Sequence, residues 1–427
     1  MRNDLILTFA YHFPPENAIG AARPYRFYKY LQRLGYRCHV ITAADTSERP
    51  DLDAETVPDP FVAGPREGVG WQLERGARKL FLPGVSGMQW ALHAYRAALR
   101  VIQREQNSRV TIFSTFPPLG THLAAYWLAR RTGLPWIADY RDPLADNPAD
   151  SGWNDLSKAL YRKIERIFVT SADLTIANTD AELDKLTACY PEYASRVRLL
   201  WNGFDPEQRP VPLPRPERDY QLVSHVGELY GNRNISPILY SMDRLIRSGR
   251  LAEKFKVHLV GVMERALVPD PDFMSTAEQE GWLRTTPQRV PQSEAHAIMG
   301  SSDGLLLIQP QSALQVPAKL FDYLQIGSPI LAYVPPDSPV ERILRKSGVP
   351  FECVYAGGDA AELDSGLERF LNLLGVRGEP SVWFEREFSA ENQVQTLSEW
   401  IQTVQNPHSF HAEQQIVAQA ARQEIRQ

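Results

Sequence analysis

Short apolar runs alternate with helix-patterned segments twice along this chain, once on each side of a proline-dense stretch. That rhythm leaves few folds open. Leu5–Phe9, Arg37–Thr42, Val110–Ser114, Leu134–Ala138, Leu174–Ala177 and Val197–Trp201 are too short and too apolar for anything but strands buried on both faces. Between them, Ala21–Leu34, Leu119–Thr132 and Thr179–Tyr190 carry the helical period. The pattern predicts a parallel sheet with helices on both faces. It resumes with strands at Gln221–Val226, Lys256–Val260, Asp303–Ile308, Pro329–Val334 and Phe351–Tyr355, and helices at Ile235–Ile246, Ser293–Gly300, Val340–Lys346 and Ala360–Leu374. A last helix near Ala390–Gln405 precedes a glutamine-rich tail.

The stretch FDPEQRPVPLPRPERD (204–219) holds five prolines and reads as a linker. With 427 residues, two cores are expected. The division reads as 1–205, a linker at 206–218, a second domain at 219–389, a helix at 390–405 and a polar tail from 406. Residues 43–83 break the rhythm and read as a long loop ending in the basic, aromatic WQLERGARKLFLPG.

Composition removes several classes of function. A net charge of −5 argues against nucleic-acid binding. Three scattered cysteines (Cys38, Cys189, Cys353) suit a reducing compartment and form neither a disulfide framework nor a zinc site. The opening apolar run is too short for a signal peptide, and no run of about 18 apolar residues exists to span a membrane. The expected place is the cytoplasm, with the inner face of the membrane open as a peripheral site. HxxxH, HExxH and the Walker lysine motif are missing, and GSSDG (300–304) lies between a helix and a strand and so is no GxSxG elbow; metal-centre, hydrolase and P-loop readings are poor.

In doubly wound sheets ligands bind beyond the carboxyl ends of the strands. Chemistry-bearing residues gather there: Gly20 and Arg23, then His122, then Asp139, Arg141 and Asp142, then Asn202 and Gly203, then Gly227 to Arg233, and Lys319. Together they suggest a cleft between two facing domains. Each also has a plain structural reading: turn chemistry for Gly20, a core histidine for His122, an internally paired turn for Asp139–Asp142, a surface charge for Arg233. Lys319 is sharper. With Pro317 as the expected first helical residue, it falls in the first turn, where exposed N–H groups and the helix dipole favour anions. Arg233 and Lys319, each at a helix N-terminus, can together hold a diphosphate.

Five blocks carry a resemblance: FPPENAIGAARPYRFYKYLQRLGYRCHVIT, PPLGTH…GLPWIADYRDP, ADLTIANTDAELDKL…VRLLWNGFDP, HVGELYGNR and VPAKLFDYLQIGSPILAYVPPDS. On these the chain, over residues 4–402, resembles the retaining, metal-independent family 4 glycosyltransferases. The resemblance implies the GT-B fold, two doubly wound Rossmann-like domains facing a central cleft. It implies an acceptor held by the first domain, a nucleotide-sugar donor held by the second, and a final helix crossing back to the first. It implies no metal or other cofactor.

Residue by residue, it places Gly20 in the loop approaching the donor diphosphate, His122 near the transferred sugar, and Arg233 and Lys319 on the leaving diphosphate. Asp322 falls on the donor ribose, Val316 and Pro317 line the donor site, and Arg23 and Asp142 serve the acceptor side or position its loop. Two positions depart from the family pattern. Leu314 stands eight residues before Asp322 where a glutamate is usual, and Glu228 follows the glycine of HVG where a basic residue is usual.

The implied activity is transfer of a hexosyl-type sugar from a nucleotide-sugar to a hydroxyl, with retention, in polysaccharide or cell-surface glycan assembly. Alternatives are a non-catalytic nucleotide- or glycan-binding subunit and a nucleotide-sugar epimerase. The implied partners are the donor and a glycan or lipid-linked glycan acceptor. Arg75, Arg78 and Lys79 beside Trp71, Leu73, Leu80 and Phe81 suit either an anionic membrane surface or a solvated loop.

Overall fold

The computed structural model describes residues 4–16, 19–63, 68–80, 87–145, 153–210, 217–250, 254–311 and 313–406. The chain divides into two compact units, residues 1–202 with 390–427, and residues 203–389.

The first unit is built on a seven-stranded sheet. Its strands are β1 (Asp4–Phe9), β2 (Arg37–Thr42), β3 (Ala54–Thr56), β4 (Arg109–Phe116), β5 (Trp136–Tyr140), β6 (Leu174–Ala177) and β7 (Val197–Leu199). All are parallel, in the order β3-β2-β1-β4-β5-β6-β7. The two-residue period of a strand sends alternate side chains to opposite faces. Leu5, Leu7 and Phe9 join one apolar core, while Ile6 joins the other. The second core is completed from far along the chain. The helix Ala390–Gln405 contributes Ala390, Val394, Leu397, Ile401 and Val404, and Tyr36 bonds Ser398 at 2.9 Å.

The second unit carries β8 (Gln221–Val226), β9 (Phe255–Val260), β10 (Leu283–Thr286), β11 (Gly304–Ile308), β12 (Ile330–Val334) and β13 (Phe351–Tyr355). These are again parallel, in the order β10-β9-β8-β11-β12-β13. Capping is explicit in the sequence. Asp359 and Glu362 form a capping box, Ser338 caps a helix with Pro339 as its first residue, and Gly348 closes that helix at φ +83°.

Several expectations shift. The strand predicted at Leu134–Ala138 runs from Trp136 to Tyr140. Pro135 has no N–H for the ladder, and its carbonyl takes the Ile112 N–H at 2.8 Å. Asp139 therefore belongs to the strand. Within residues 43–83, read as one long loop, lie the edge strand β3 and helices at Pro60–Ala63 and Val69–Leu80. β10 has the polar sequence LRTT, so its edge position gave no apolar signal. The proline-dense stretch starts inside the second unit. Phe204 stacks on Phe384 at 5.2 Å and Arg209 pairs with Glu385, while residues 211–216 lie outside the described residues.

Candidate active site

The order of the second sheet reverses between β8 and β11, opening the crevice where doubly wound folds take ligands. The segments following those two strands are Gly227–Arg233 and Gln309–Lys319. They bring together Lys319, Arg233 and Glu228.

Lys319 opens the helix Lys319–Ile326. Pro317, expected as the first helical residue, lies two positions earlier, where its carbonyl accepts the Leu320 N–H at 3.0 Å. Tyr323 pins this helix to the sheet: its hydroxyl accepts the Val226 N–H at 3.0 Å and donates to the Leu306 carbonyl at 3.3 Å. Gly327, at φ +76°, ends it.

The Lys319 amine lies over Gly227, where a Cβ would come within 2.6 Å of Nζ. Gly227 also has φ +121°, a conformation L side chains rarely adopt. Nζ is 3.2 Å from His225 Nε2. Burial and then the Arg233 charge push the Lys319 pKa down to about 7, with Glu228 pulling the other way.

Arg233 donates from Nε to Gln309 Oε1 at 3.1 Å and lays its guanidinium 4.4 Å from the centre of the Tyr230 ring. Glu228, in the place of the usual basic residue, is bonded by Arg289. Asp322 stands one turn along from Lys319 with its carboxylate about a third exposed, 3.9 Å from His296 Nε2. Val316 and Pro317 are buried at the approach to the helix.

In the first unit the order reverses between β1 and β4. Gly20 is the second residue of the helix Ile19–Arg33. A side chain there would crowd Arg141 Nη1 and the His12 ring, each at 3.0 Å. Its carbonyl is bonded by Arg141, which also donates to the carbonyls of Phe116 and Pro117. Arg141 thus ties together the segments following β1, β4 and β5. Asp142, partly exposed, is its immediate neighbour.

Arg23 is a buried hub, 2 % exposed. Its Nε and Nη2 grip Asp139 as a fork, with the shortest contact 2.7 Å, and it donates to the carbonyls of Leu200 and Trp201. These contacts tie the helix Ile19–Arg33 to β5 and to the segment after β7.

His122 does not stand at a surface. Its imidazole is 0 % exposed and boxed by Phe116, Trp136, Tyr140 and Phe168. Nδ1 is 2.8 Å from Ser114 Oγ, which takes the Trp136 indole N–H. In this structure the ring is sealed from solvent.

Burial, then Arg141, push the His122 pKa down to about 3. The unfolded chain takes up that proton near pH 6.5 and the folded one does not, so the stability is full above 6.5 and drains as pH falls towards 3. At pH 5 the loss is about 2 kcal/mol. Melting of a His122→Asn variant is expected to fall less steeply than wild type between pH 7 and 5; parallel curves would refute it.

Residues 71–80 of the basic aromatic segment lie on the helix Val69–Leu80. Trp71 stacks on Phe61 and receives Arg75, Glu74 is buried, and Val69 and Leu73 are exposed. Phe81 and the side chains of Arg78, Lys79 and Leu80 lie outside the described residues. Among the described residues no helix is long and apolar enough to cross a membrane. Nor, among them, does any group of three or more His, Cys, Asp or Glu side chains stand ready to hold a metal ion.

Residues 20–203 match the model of the glycosyl transferase 4-like domain. Over those residues the chain is similar to that family. Over 335 residues it is 24% identical to the "Probable glycosyltransferase WbjE" of Pseudomonas aeruginosa, covering 74% of this chain and 76% of that protein. Among solved structures it is similar to a glycosyltransferase from Rickettsia africae, with TM-score 0.61 and 11% identity over 94% of this chain and 98% of that one. It is similar also to Anabaena Alr3699/HepE, solved in complex with UDP and glucose, with TM-score 0.59 and 12% identity over 94% of this chain and all of that one. Two Rossmann-like units in one chain are the GT-B arrangement, and this chain has both.

Sequence reasoning passed over His225 as a working part, and gave Arg141 and Gln309 no partners. His225 was visible as a polar residue near the end of a buried strand. The partners of Gln309 and Arg141 come from distant strands and left no local mark.

Proposed function

We propose that this glycosyltransferase moves a hexosyl-type sugar from a nucleotide-sugar to a hydroxyl of a glycan or lipid-linked glycan, with retention, in polysaccharide or cell-surface glycan assembly. One observation carries the reading. At the switch point of the second sheet, Lys319 is held by an imidazole, and Arg233 by an amide and an aromatic face. Neutral partners orient a cation without cancelling its charge. The solved complex of HepE with UDP and glucose supports a uridine diphosphate donor.

Cleavage of the sugar–phosphate bond leaves a diphosphate carrying new negative charge beside an oxocarbenium-like sugar. Lys319, Arg233 and the helix N-terminus would stabilise that charge, so the proposal needs no metal or other cofactor. Asp322 would accept from the donor ribose. The departing phosphate would take the proton of the acceptor hydroxyl.

A thermal-shift screen against nucleotide-sugars tests this, because a ligand that binds only the folded state raises its apparent stability. UDP binding is expected to take up a proton at Lys319 above pH 7, and affinity to weaken as pH rises from there. Calorimetry in buffers of different ionisation enthalpy reads that proton. Absence of binding by any nucleotide-sugar, or binding with no proton uptake at pH 8, would refute the assigned site. Leu314 and the Glu228–Arg289 pair favour a second reading, a binding subunit without turnover. Release of labelled sugar from a bound donor would exclude it.

A further inference from the structure

We propose that His225 is the positioning residue for Lys319, holding the lysine amine over Gly227 through a neutral imidazole lone pair and so helping it keep its proton until a diphosphate arrives. The inference deepens the donor-site reading and rests on it for the identity of the ligand.

The hydrogen bonds fix the tautomer. His225 lies near the end of β8 and is 1 % exposed. Its Nδ1 is 2.9 Å from the Leu306 carbonyl of the neighbouring strand β11. A carbonyl only accepts, so Nδ1 carries the proton. A second proton on Nε2 would set an N–H against the lysine amine 3.2 Å away, in a buried place. Burial and the lysine charge hold the imidazole pKa well below its ordinary range, in agreement. Nε2 therefore presents a lone pair, and Lys319 donates to it. The chain of contacts runs from the Leu306 carbonyl through the ring to Nζ, the ring acting as a rigid spacer between sheet and helix N-terminus.

The chemistry of the partner matters. A carboxylate in that place would hold the amine equally well, but would cancel its charge and compete with phosphate oxygens. An imidazole orients the cation and leaves the charge for the ligand. The titratable and charged groups around the amine, among the described residues, are His225 from β8 and Glu228 and Arg233 from the following loop, while Asp322 stands one turn along its own helix. Among the described residues, only His225 is within hydrogen-bond distance of Nζ.

Two near-isosteres separate this role from a purely structural one. His225→Asn keeps a donor for the Leu306 carbonyl but has nothing at the place of Nε2. His225→Gln puts an amide oxygen there and gives up the donor. The pH dependence of Lys319 acetylation by acetic anhydride, read by mass spectrometry on the full chain, reports the amine without any donor. The wild-type midpoint is expected near 7. In His225→Asn it should fall by about one pH unit, because a lost acceptor disfavours the charged form. In His225→Gln it should stay near wild type, with kcat kept within about threefold while Asn loses about tenfold or more.

Unchanged lysine titration and turnover in His225→Asn, or equal losses in both variants, would overturn the proposal. Failure of UDP to protect Lys319 from acetylation would count against the donor site alone, leaving the positioning role to be judged by the midpoints.

Discussion

Replacing Lys319 by alanine is expected to lower sugar transfer by about 10²- to 10³-fold while leaving the fold intact. The loss follows from where the amine stands. It sits at a helix N-terminus, over a glycine that has no side chain to hold it off, beside a histidine that orients it. Lys319→Arg should not restore activity, since a planar fork does not occupy the volume of a compact ammonium. The helix itself is held by Tyr323, Leu320 and Phe321, all buried, so melting and circular dichroism should stay near wild type. Near-wild-type turnover by a folded Lys319→Ala enzyme, on its own donor and acceptor, would show that the diphosphate is handled elsewhere.

The second large effect is on stability. Arg23→Ala is expected to cost about 3–5 kcal/mol, because it leaves the Asp139 carboxylate buried at 0 % exposure with its charge unpaired. Thr115 still donates to that carboxylate at 2.8 Å, but one neutral hydroxyl does not replace a guanidinium fork. The carbonyls of Leu200 and Trp201 lose their donor as well. Gln393, from the returning helix, also donates to the Trp201 carbonyl at 3.0 Å, which limits the damage there. The first unit's melting transition should fall by roughly 10 °C. Arg23→Lys should fall between the two, keeping the charge but losing the fork. An unshifted transition in Arg23→Ala would mean that the pair adds nothing to this unit's stability.

These two residues show how differently sequence and structure speak. Lys319 was legible because it breaks a local rule, a cation where a helix start favours anions. Arg233 followed from its place after a predicted strand. Arg23 was legible as a residue after the first strand, with an acceptor-side or loop-positioning role only by resemblance. Its partners Asp139, Leu200 and Trp201 lie more than a hundred positions away, and no local pattern announces them. His122 shows the reverse. A histidine one turn into a helix after a strand looks poised for chemistry, yet four aromatic rings from three different elements close over it. Helical period predicts which face of a helix is apolar. It does not say how deep that face is buried.

By itself, the sequence determined the two parallel sheets. Alternating apolar runs and helical periods admit little else, because strands buried on both faces need helices to cover them. It also determined the helix at Lys319, through its apolar face and its closing glycine. Only the tertiary structure decided what that lysine meets. Strand order brings β8 beside β11, and that neighbourhood sets His225 between the Leu306 carbonyl and the amine. The physical reason is range. Periodicity and capping act over a few residues, whereas the place and the proton of a buried cation are set by groups that only the folded sheet brings together.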